Sequence, residues 1–227
     1  MKTTFLHQHG RERLLIFFNG WGMDNALFQH WRADACDVLC AWDYRELTPL
    51  PAVAGYRDIR LVAWSLGVWA AAVTPMPRLQ HATAVNGTLQ PIDQHSGIRA
   101  DVFQGTIDNW LDDQARERFR QRVAGTAAAS ATPPATVAAT AASPFPPGRL
   151  PLDQRDELLA LQQNITSLPA PATIYDCALI GGRDRIFPPS AQRRFWLTTA
   201  VRILEWPDAP HYPFAAIQSW EELWHLE

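Results

Sequence analysis

The stretch LVAWSLGVWAAA, residues 61–72, decides the fold class of this 227-residue chain. An apolar segment typical of a buried strand runs directly into a serine between small residues, and an alanine-rich helical segment follows. One interpretation of Ser65 is a helix N-cap, because serine accepts hydrogen bonds from the backbone N–H groups of a first helical turn. The other is a nucleophile elbow, a sharp strand-to-helix turn that lifts its central serine above the sheet edge. The sequence reads AWSLG at 63–67, so alanine replaces the first glycine of the G-x-S-x-G pattern.

Length and composition indicate one globular domain. The chain is 47% hydrophobic and 19% charged, which is sufficient for a sizeable core, and a second independent domain is not expected. The net charge of −3 provides no overall basic field for nucleic acid or an anionic membrane. No stretch approaches the roughly 20 apolar residues of a membrane span, and the N-terminal segment lacks the apolar centre of a secretory signal. We therefore expect a cytoplasmic protein.

Strands and helices alternate along much of the chain. Predicted strands cover residues 13–18, 37–42, 58–63, 82–87, 177–181 and 200–206. Predicted helices lie near residues 26–33, 66–73 and 190–197, and a tryptophan-rich helix ends the chain. This alternation predicts an α/β fold with a mostly parallel central sheet and helices on both faces. The three cysteines, Cys36, Cys40 and Cys177, form no C-x-x-C pair and support neither a disulfide framework nor a metal site.

The alternation stops between residues 98 and 168. Helices are predicted at 107–123 and 153–163, separated by a low-complexity Ala/Thr/Ser/Pro tract at about 124–148 whose prolines forbid a long helix. We therefore predict a core of residues 1–97 and 169–227 that carries a helical lid insertion at 98–168. The tract is either a hinge of this lid or a tolerated surface insertion.

Three residues complete a candidate hydrolytic site. A serine becomes a nucleophile when a histidine takes its proton and a carboxylate orients that histidine. In α/β-hydrolases these residues follow sheet strands in the order nucleophile, acid, histidine. Ser65, Asp184 and His211 each follow a predicted strand in this order. Asp208 is an alternative acid, but it precedes His211 by only three residues.

The same reaction needs backbone N–H donors for the developing oxyanion, each contributing roughly 3 kcal/mol of barrier lowering. Leu66, directly after the serine, is one candidate donor. The other is Trp21, in the glycine-containing segment NGWGMD at 19–24 that follows the first predicted strand. An ordinary turn at this segment is the alternative.

Six segments in order carry a family resemblance: FFNGWGMD, DYRELT, LVAWSLGVWAA, NGTLQPID, GRDRIFPPSAQRRFW and HYPF. Together they resemble the BioG type of pimeloyl-acyl carrier protein methyl ester esterase, an α/β-hydrolase family of biotin biosynthesis. The resemblance covers residues from about 14 to 220. It implies a serine carboxylesterase that cleaves the methyl ester of pimeloyl-acyl carrier protein to the free acid and methanol, without metal or organic cofactor. The family pattern places the nucleophile at Ser65, the acid at Asp184 and the base at His211.

The resemblance also suggests where the substrate binds. Aromatic residues beside the motifs could line an apolar channel for a seven-carbon chain, or simply pack in the core: Trp21, Trp64, Phe187 and Tyr212. An acidic carrier protein needs a local basic surface, for which one predicted helix offers Arg116, Arg118, Arg120 and Arg122. A solvated helix face is the alternative for these arginines. The competing functions are a general small-acyl carboxylesterase or thioesterase and a non-catalytic scaffold that binds an acyl ligand.

Overall fold

The computed structural model describes residues 1–125 and 148–226. Within these residues seven strands form one sheet: β1 (Lys2–His7), β2 (Arg13–Phe18), β3 (Asp37–Trp42), β4 (Asp58–Trp64), β5 (His81–Val85), β6 (Cys177–Gly181) and β7 (Arg202–Trp206). Their order across the sheet is β1-β3-β2-β4-β5-β6-β7. β1 pairs antiparallel with β3, and the other neighbouring pairs are parallel. The predicted fold class, a mostly parallel α/β sheet, is confirmed.

The described residues also form six α-helices: α1 (Leu66–Val73), α2 (Ala100–Asn109), α3 (Asp113–Ala124), α4 (Pro151–Ser167), α5 (Pro189–Trp196) and α6 (Trp220–Trp224). Helix α1 packs on β2 and β4, and α5 packs on β6 and β7. Short 3₁₀ helices lie at Asn25–Phe28 and Pro213–Ala216. No helix in the described part of the chain is both long and apolar enough to cross a membrane.

Three details of the secondary structure differ from the sequence-based prediction. Strand β1 was missed because it is a half-buried edge strand without a continuous apolar run. The helix predicted near 26–33 is only the 3₁₀ turn Asn25–Phe28. The helix predicted at 107–123 is two helices, because the Asp112 carboxylate accepts the Ala115 N–H at 2.6 Å and begins α3 as an N-cap.

Helices α2, α3 and α4 lie between β5 and β6 in the chain, where the lid insertion is predicted. The limits of that insertion, residues 98 and 168, and its role as a lid stay predictions. Most of the low-complexity tract predicted at 124–148 lies outside the described residues.

The sheet topology brings several loops together. Because the carboxyl ends of parallel strands meet at one edge of a sheet, the segments that follow β2, β4, β5, β6 and β7 are neighbours in space. The central strands β2 and β4 are almost completely buried. The loops at this edge therefore start from well-packed strands. The candidate catalytic residues and oxyanion donors lie in the segments that follow β2, β4, β6 and β7.

Candidate active site

Ser65 joins β4 directly to α1 in a strained turn, with φ 59° and ψ −128°. The turn packs so closely that a Cβ at Gly67 would lie 2.5 Å from the Asn19 carbonyl oxygen, and one at Gly87 would lie 2.4 Å from the Ser65 carbonyl oxygen. Glycine is therefore required at both positions. The Ser65 side chain makes no capping hydrogen bond to α1, so the helix N-cap interpretation is wrong. The backbone geometry is that of a nucleophile elbow.

The structure brings the three candidate catalytic residues into one hydrogen-bonded series. His211 Nε2 lies 2.9 Å from Ser65 Oγ, and His211 Nδ1 lies 2.9 Å from Asp184 Oδ2. All three side chains are buried. Asp208, the alternative acid, instead pairs with Arg183 at 2.6 Å, and both of those side chains are exposed. The geometry therefore places Asp184, rather than Asp208, at the histidine.

Asp184 is fixed by three further donors. Its Oδ1 accepts the N–H groups of Ile186 and Phe187 at 2.8 and 2.9 Å, which holds the carboxylate over its own turn. Its Oδ2 accepts Gln192 Nε2 at 3.0 Å, and the same amide also donates to the Phe187 carbonyl at 2.8 Å. Gln192 is fully buried on α5. Gln192 is not among the residues predicted from the sequence, because a glutamine inside a helix carries no signal of such a contact.

The histidine loop is held at its backbone. The Trp64 indole N–H donates to the His211 carbonyl at 2.8 Å. The Asn86 side-chain amide donates to the carbonyls of Pro210 and His211 at 2.9 and 3.0 Å, and its oxygen accepts the Gly181 N–H at 2.7 Å. Asn86 has φ 48°, a conformation that asparagine tolerates better than most residues. The loop that carries His211 is thus tied to the ends of β4, β5 and β6.

We predict that Gln192→Met lowers kcat by about tenfold with little change in KM. Methionine keeps the volume of glutamine but cannot donate to Asp184, so the carboxylate and the histidine lose part of their fixed geometry. Steady-state hydrolysis of a small chromogenic ester measures both constants, and thermal unfolding reports the accompanying loss of stability. An unchanged kcat would show that the two backbone N–H groups suffice to hold Asp184.

The two candidate oxyanion donors border the same cavity as Ser65. The Leu66 N–H lies in the first turn of α1, where N–H groups lack intrahelical acceptors. Trp21 lies in a tight turn in which the Met23 N–H donates to the Gly20 carbonyl at 3.3 Å. Within residues 1–125 and 148–226, no backbone acceptor takes the Trp21 N–H. These positions agree with the predicted oxyanion role of Trp21 and Leu66, which stays a prediction.

A narrow slot of about 50 Å³ lies above Ser65. Of the four predicted channel residues, Trp21 and Trp64 line it. Phe187 and Tyr212 do not: the Phe187 ring stacks on His211 with centroids 6.1 Å apart, and Tyr212 packs among other aromatic rings. Apolar side chains from α2, α3, α4 and the adjoining loops complete the walls, and none of them is among the predicted channel residues: Met23, Ile98, Val102, Phe103, Phe119, Val123, Leu158 and Ile186.

The slot opens beside a wider groove of about 510 Å³ between α2 and α3. Arg118, Arg122 and Arg185 line this groove, and none of them has an acidic partner among the residues that the structure describes. Partial burial and the nearby Arg118 charge lower the pKa of Arg122. The groove therefore carries uncompensated positive charge.

The structure contradicts the expectation for Arg116 as a docking residue. Its side chain is buried, donates to the Trp110 carbonyl at 2.8 Å and pairs with Asp113, so it stabilises the junction of α2 and α3. Arg120 is partly exposed and pairs with Glu117 at 3.5 Å. The exposed members of the predicted arginine set are Arg118 and Arg122.

A serine, a carboxylate and a histidine in this chain order at the carboxyl edge of a mostly parallel sheet define an α/β-hydrolase. Solved hydrolases share the fold: the hydrolase olei00960 from Oleispira antarctica superposes with a TM-score of 0.60 at 11% identity, covering 98% of this chain and 93% of that one. The chain belongs to the family described as pimeloyl-ACP methyl esterase BioG, whose model matches residues 1–223. The family resemblance stated from the sequence is thereby confirmed.

Two relatives share about a third of their aligned residues with this chain. The crystal structure of BioG from Haemophilus influenzae is 33% identical, covers 99% of this chain and 100% of its own, and superposes with a TM-score of 0.82. Malonyl-[acyl-carrier protein] O-methyltransferase from Bacteroides fragilis is 34% identical over 206 residues, which is 89% of this chain. The chain spans about 40% of the length of that methyltransferase.

Proposed function

We propose that this protein is a serine esterase that hydrolyses the methyl ester of pimeloyl-acyl carrier protein in biotin biosynthesis. The observation that carries the proposal is the hydrogen-bonded series Ser65–His211–Asp184 in a chain of the BioG family. Esterase chemistry follows from these three groups and the two N–H donors beside them.

The reaction proceeds in two acyl-transfer steps. His211 Nε2 takes the Ser65 proton as Oγ attacks the ester carbonyl, and Asp184 holds the ring so that Nδ1 carries its proton toward the carboxylate. The Trp21 and Leu66 N–H groups stabilise the negative charge that develops on the carbonyl oxygen. The intermediate expels methoxide, which leaves as methanol with the proton from His211. Water, deprotonated by the same histidine, then releases the free acid from Ser65.

The shape of the site supports a long carrier-bound substrate. The slot above Ser65 is lined mostly by apolar side chains, which suits the methylene groups of an acyl chain. The adjoining arginine-lined groove lies where the chain would leave the slot and meet an acidic carrier protein. Arg118, Arg120 and Arg122 remain the docking residues of this proposal.

The Bacteroides relative adds chemical support. Its name describes O-methylation of a malonyl group on an acyl carrier protein, a reaction whose product is a carrier-bound methyl ester. The present site has the opposite chemistry, because a serine, a histidine and an oxyanion-binding loop cleave esters rather than form them by methyl transfer. A carrier-bound methyl ester is therefore the product of the methyltransferase reaction and the substrate of the proposed esterase reaction.

We expect the carrier to matter for catalysis. The enzyme should cleave the carrier-bound methyl ester with a kcat/KM at least about tenfold above that for dimethyl pimelate, because only the former can use the positive groove. Equal values for the two esters would favour the general carboxylesterase instead.

Arg118→Glu should lower kcat/KM for the carrier-bound ester by about tenfold and leave the rate on dimethyl pimelate within about twofold of the parent. The reversed charge repels an acidic carrier but lies in the groove rather than in the slot. Arg57→Glu is the matched control, because Arg57 is 79% exposed and precedes β4, at the opposite edge of the sheet. An equal loss on both esters, or the same loss in the control, would contradict docking at this groove.

A further inference from the structure

The turn that carries Trp21 is held from outside by helix α4. Gly22 occupies the third position of this turn with φ +77°, the backbone conformation that a type II turn requires there. A type I turn has the same ends but a reversed central peptide, so the Trp21–Gly22 peptide group can in principle point either way. The contacts that fix the orientation of the Trp21–Gly22 peptide group therefore also fix the conformation of the loop.

Two side chains of α4 hold both peptide groups of Gly22. Glu157 Oε2 accepts the Gly22 N–H at 3.2 Å, and Gln154 Nε2 donates to the Gly22 carbonyl at 2.8 Å. The two residues are three apart and so lie on one face of the helix. In addition, the Trp21 indole N–H donates to the Gln154 backbone carbonyl at 2.7 Å. Helix α4 therefore holds Trp21 at two points, by a hydrogen bond to its indole and by hydrogen bonds to the following residue, Gly22.

Burying the Glu157 carboxylate at this position is energetically unfavourable. The side chain is fully buried, and an unpaired carboxylate in that position would be strongly destabilising. Arg149 Nη1 at 2.5 Å and the Tyr44 N–H at 3.0 Å offset this cost. Burial raises the pKa of Glu157, although the Arg149 charge acts in the opposite direction. An apolar residue could fill this buried position, so packing alone does not require a carboxylate here.

We propose that Gln154 and Glu157 are positioning residues that hold the Trp21 N–H in the oxyanion-binding geometry. The inference rests on the role that the proposed function gives to Trp21. The helical insertion then supplies part of the catalytic apparatus as well as walls for the slot. Since a displacement of about 1 Å can cost on the order of a hundredfold in rate, partial release of the turn should lower turnover measurably.

The test is Gln154→Met, with Gln163→Met as the control. Methionine preserves the volume at 154 and the backbone carbonyl that holds Trp21. It removes the donor to the Gly22 carbonyl and also the side-chain oxygen that accepts the Trp110 indole N–H at 3.3 Å. Gln163 is exposed on the same helix and does not line the slot. Hydrolysis of p-nitrophenyl butyrate gives kcat and KM, and a fluorophosphonate burst counts the competent sites. We expect kcat per titrated site to fall by about tenfold in Gln154→Met, with KM within about threefold and the control unchanged.

A merely structural role gives a different result, because it lowers the number of titrated sites and leaves kcat per site unchanged. That result, or an equal fall in Gln163→Met, would overturn the proposal. Gln154→Leu is the second variant if Gln154→Met does not fold, because leucine also cannot donate to the Gly22 carbonyl, and the same fall in kcat per site is expected. The small ester makes the test independent of the carrier-bound substrate. Failure to cleave the pimeloyl methyl ester would therefore remove the proposed substrate while leaving the test of the turn intact.

Discussion

Replacing Ser65 by alanine is expected to lower esterase turnover by at least about 10⁴-fold, the order of loss seen when an attacking serine is removed from a triad. Alanine keeps the elbow but provides no oxygen to attack the ester, and His211 then has no proton to accept from this position. Hydrolysis of p-nitrophenyl butyrate measures the loss. The variant should also fail to react with a fluorophosphonate that labels the parent.

Ser219→Ala is the control for this substitution, because Ser219 is a serine next to α6 that does not border the slot. It should keep both activity and labelling. Labelling of Ser65→Ala at the parent's rate would contradict Ser65 as the nucleophile. A parent protein that is neither labelled nor active would instead support a scaffold that binds an acyl ligand without catalysis.

Asp184→Asn is expected to lower kcat by about 10³- to 10⁴-fold. An amide can present its N–H₂ group to His211 Nδ1, which favours the tautomer whose proton lies on Nε2, where Ser65 needs an acceptor. The loss should diminish at high pH if hydroxide replaces the histidine as base. Turnover measured across a pH series therefore separates this effect from unfolding.

Asp208→Asn is the matched control, since Asp208 is the other carboxylate near His211 in sequence. Its partner is the exposed Arg183, and pairs of this kind contribute little to stability. Turnover should remain within about twofold of the parent. A loss in Asp208→Asn comparable to that in Asp184→Asn would contradict the assignment of the acid.

The sequence predicted the chain order of the site because its signals are local. Ser65, Asp184 and His211 each follow a strand, and a parallel sheet brings such positions to one edge. The turn residues Trp21 and Leu66 are adjacent to glycines or to the serine, so they could also be proposed from the sequence. Whether these residues act as proposed depends on the variants above.

The supporting contacts could not be predicted in the same way. Gln154 and Glu157 contact Gly22 across 132 and 135 residues of sequence, and a polar residue inside a helix gives no sign of such a partner. Gln192 is only eight residues from Asp184, but its spacing does not show that its side chain points inward to that carboxylate. The same limit explains the wrong expectations: Arg116 has the helical spacing of a surface residue but turns inward to the Trp110 carbonyl. Phe187 follows the motif that carries Asp184, but its ring stacks on the His211 ring instead of lining the slot.

The most direct test of the proposed function is the intact mass of an acyl carrier protein loaded with the pimeloyl methyl ester, before and after incubation with the enzyme. We expect the carrier to lose the mass of one methylene group and to keep the acyl chain, with no change in the presence of Ser65→Ala. Release of the unloaded carrier would identify a thioesterase. No change with the parent enzyme, under conditions where it hydrolyses p-nitrophenyl butyrate, would contradict the proposed substrate.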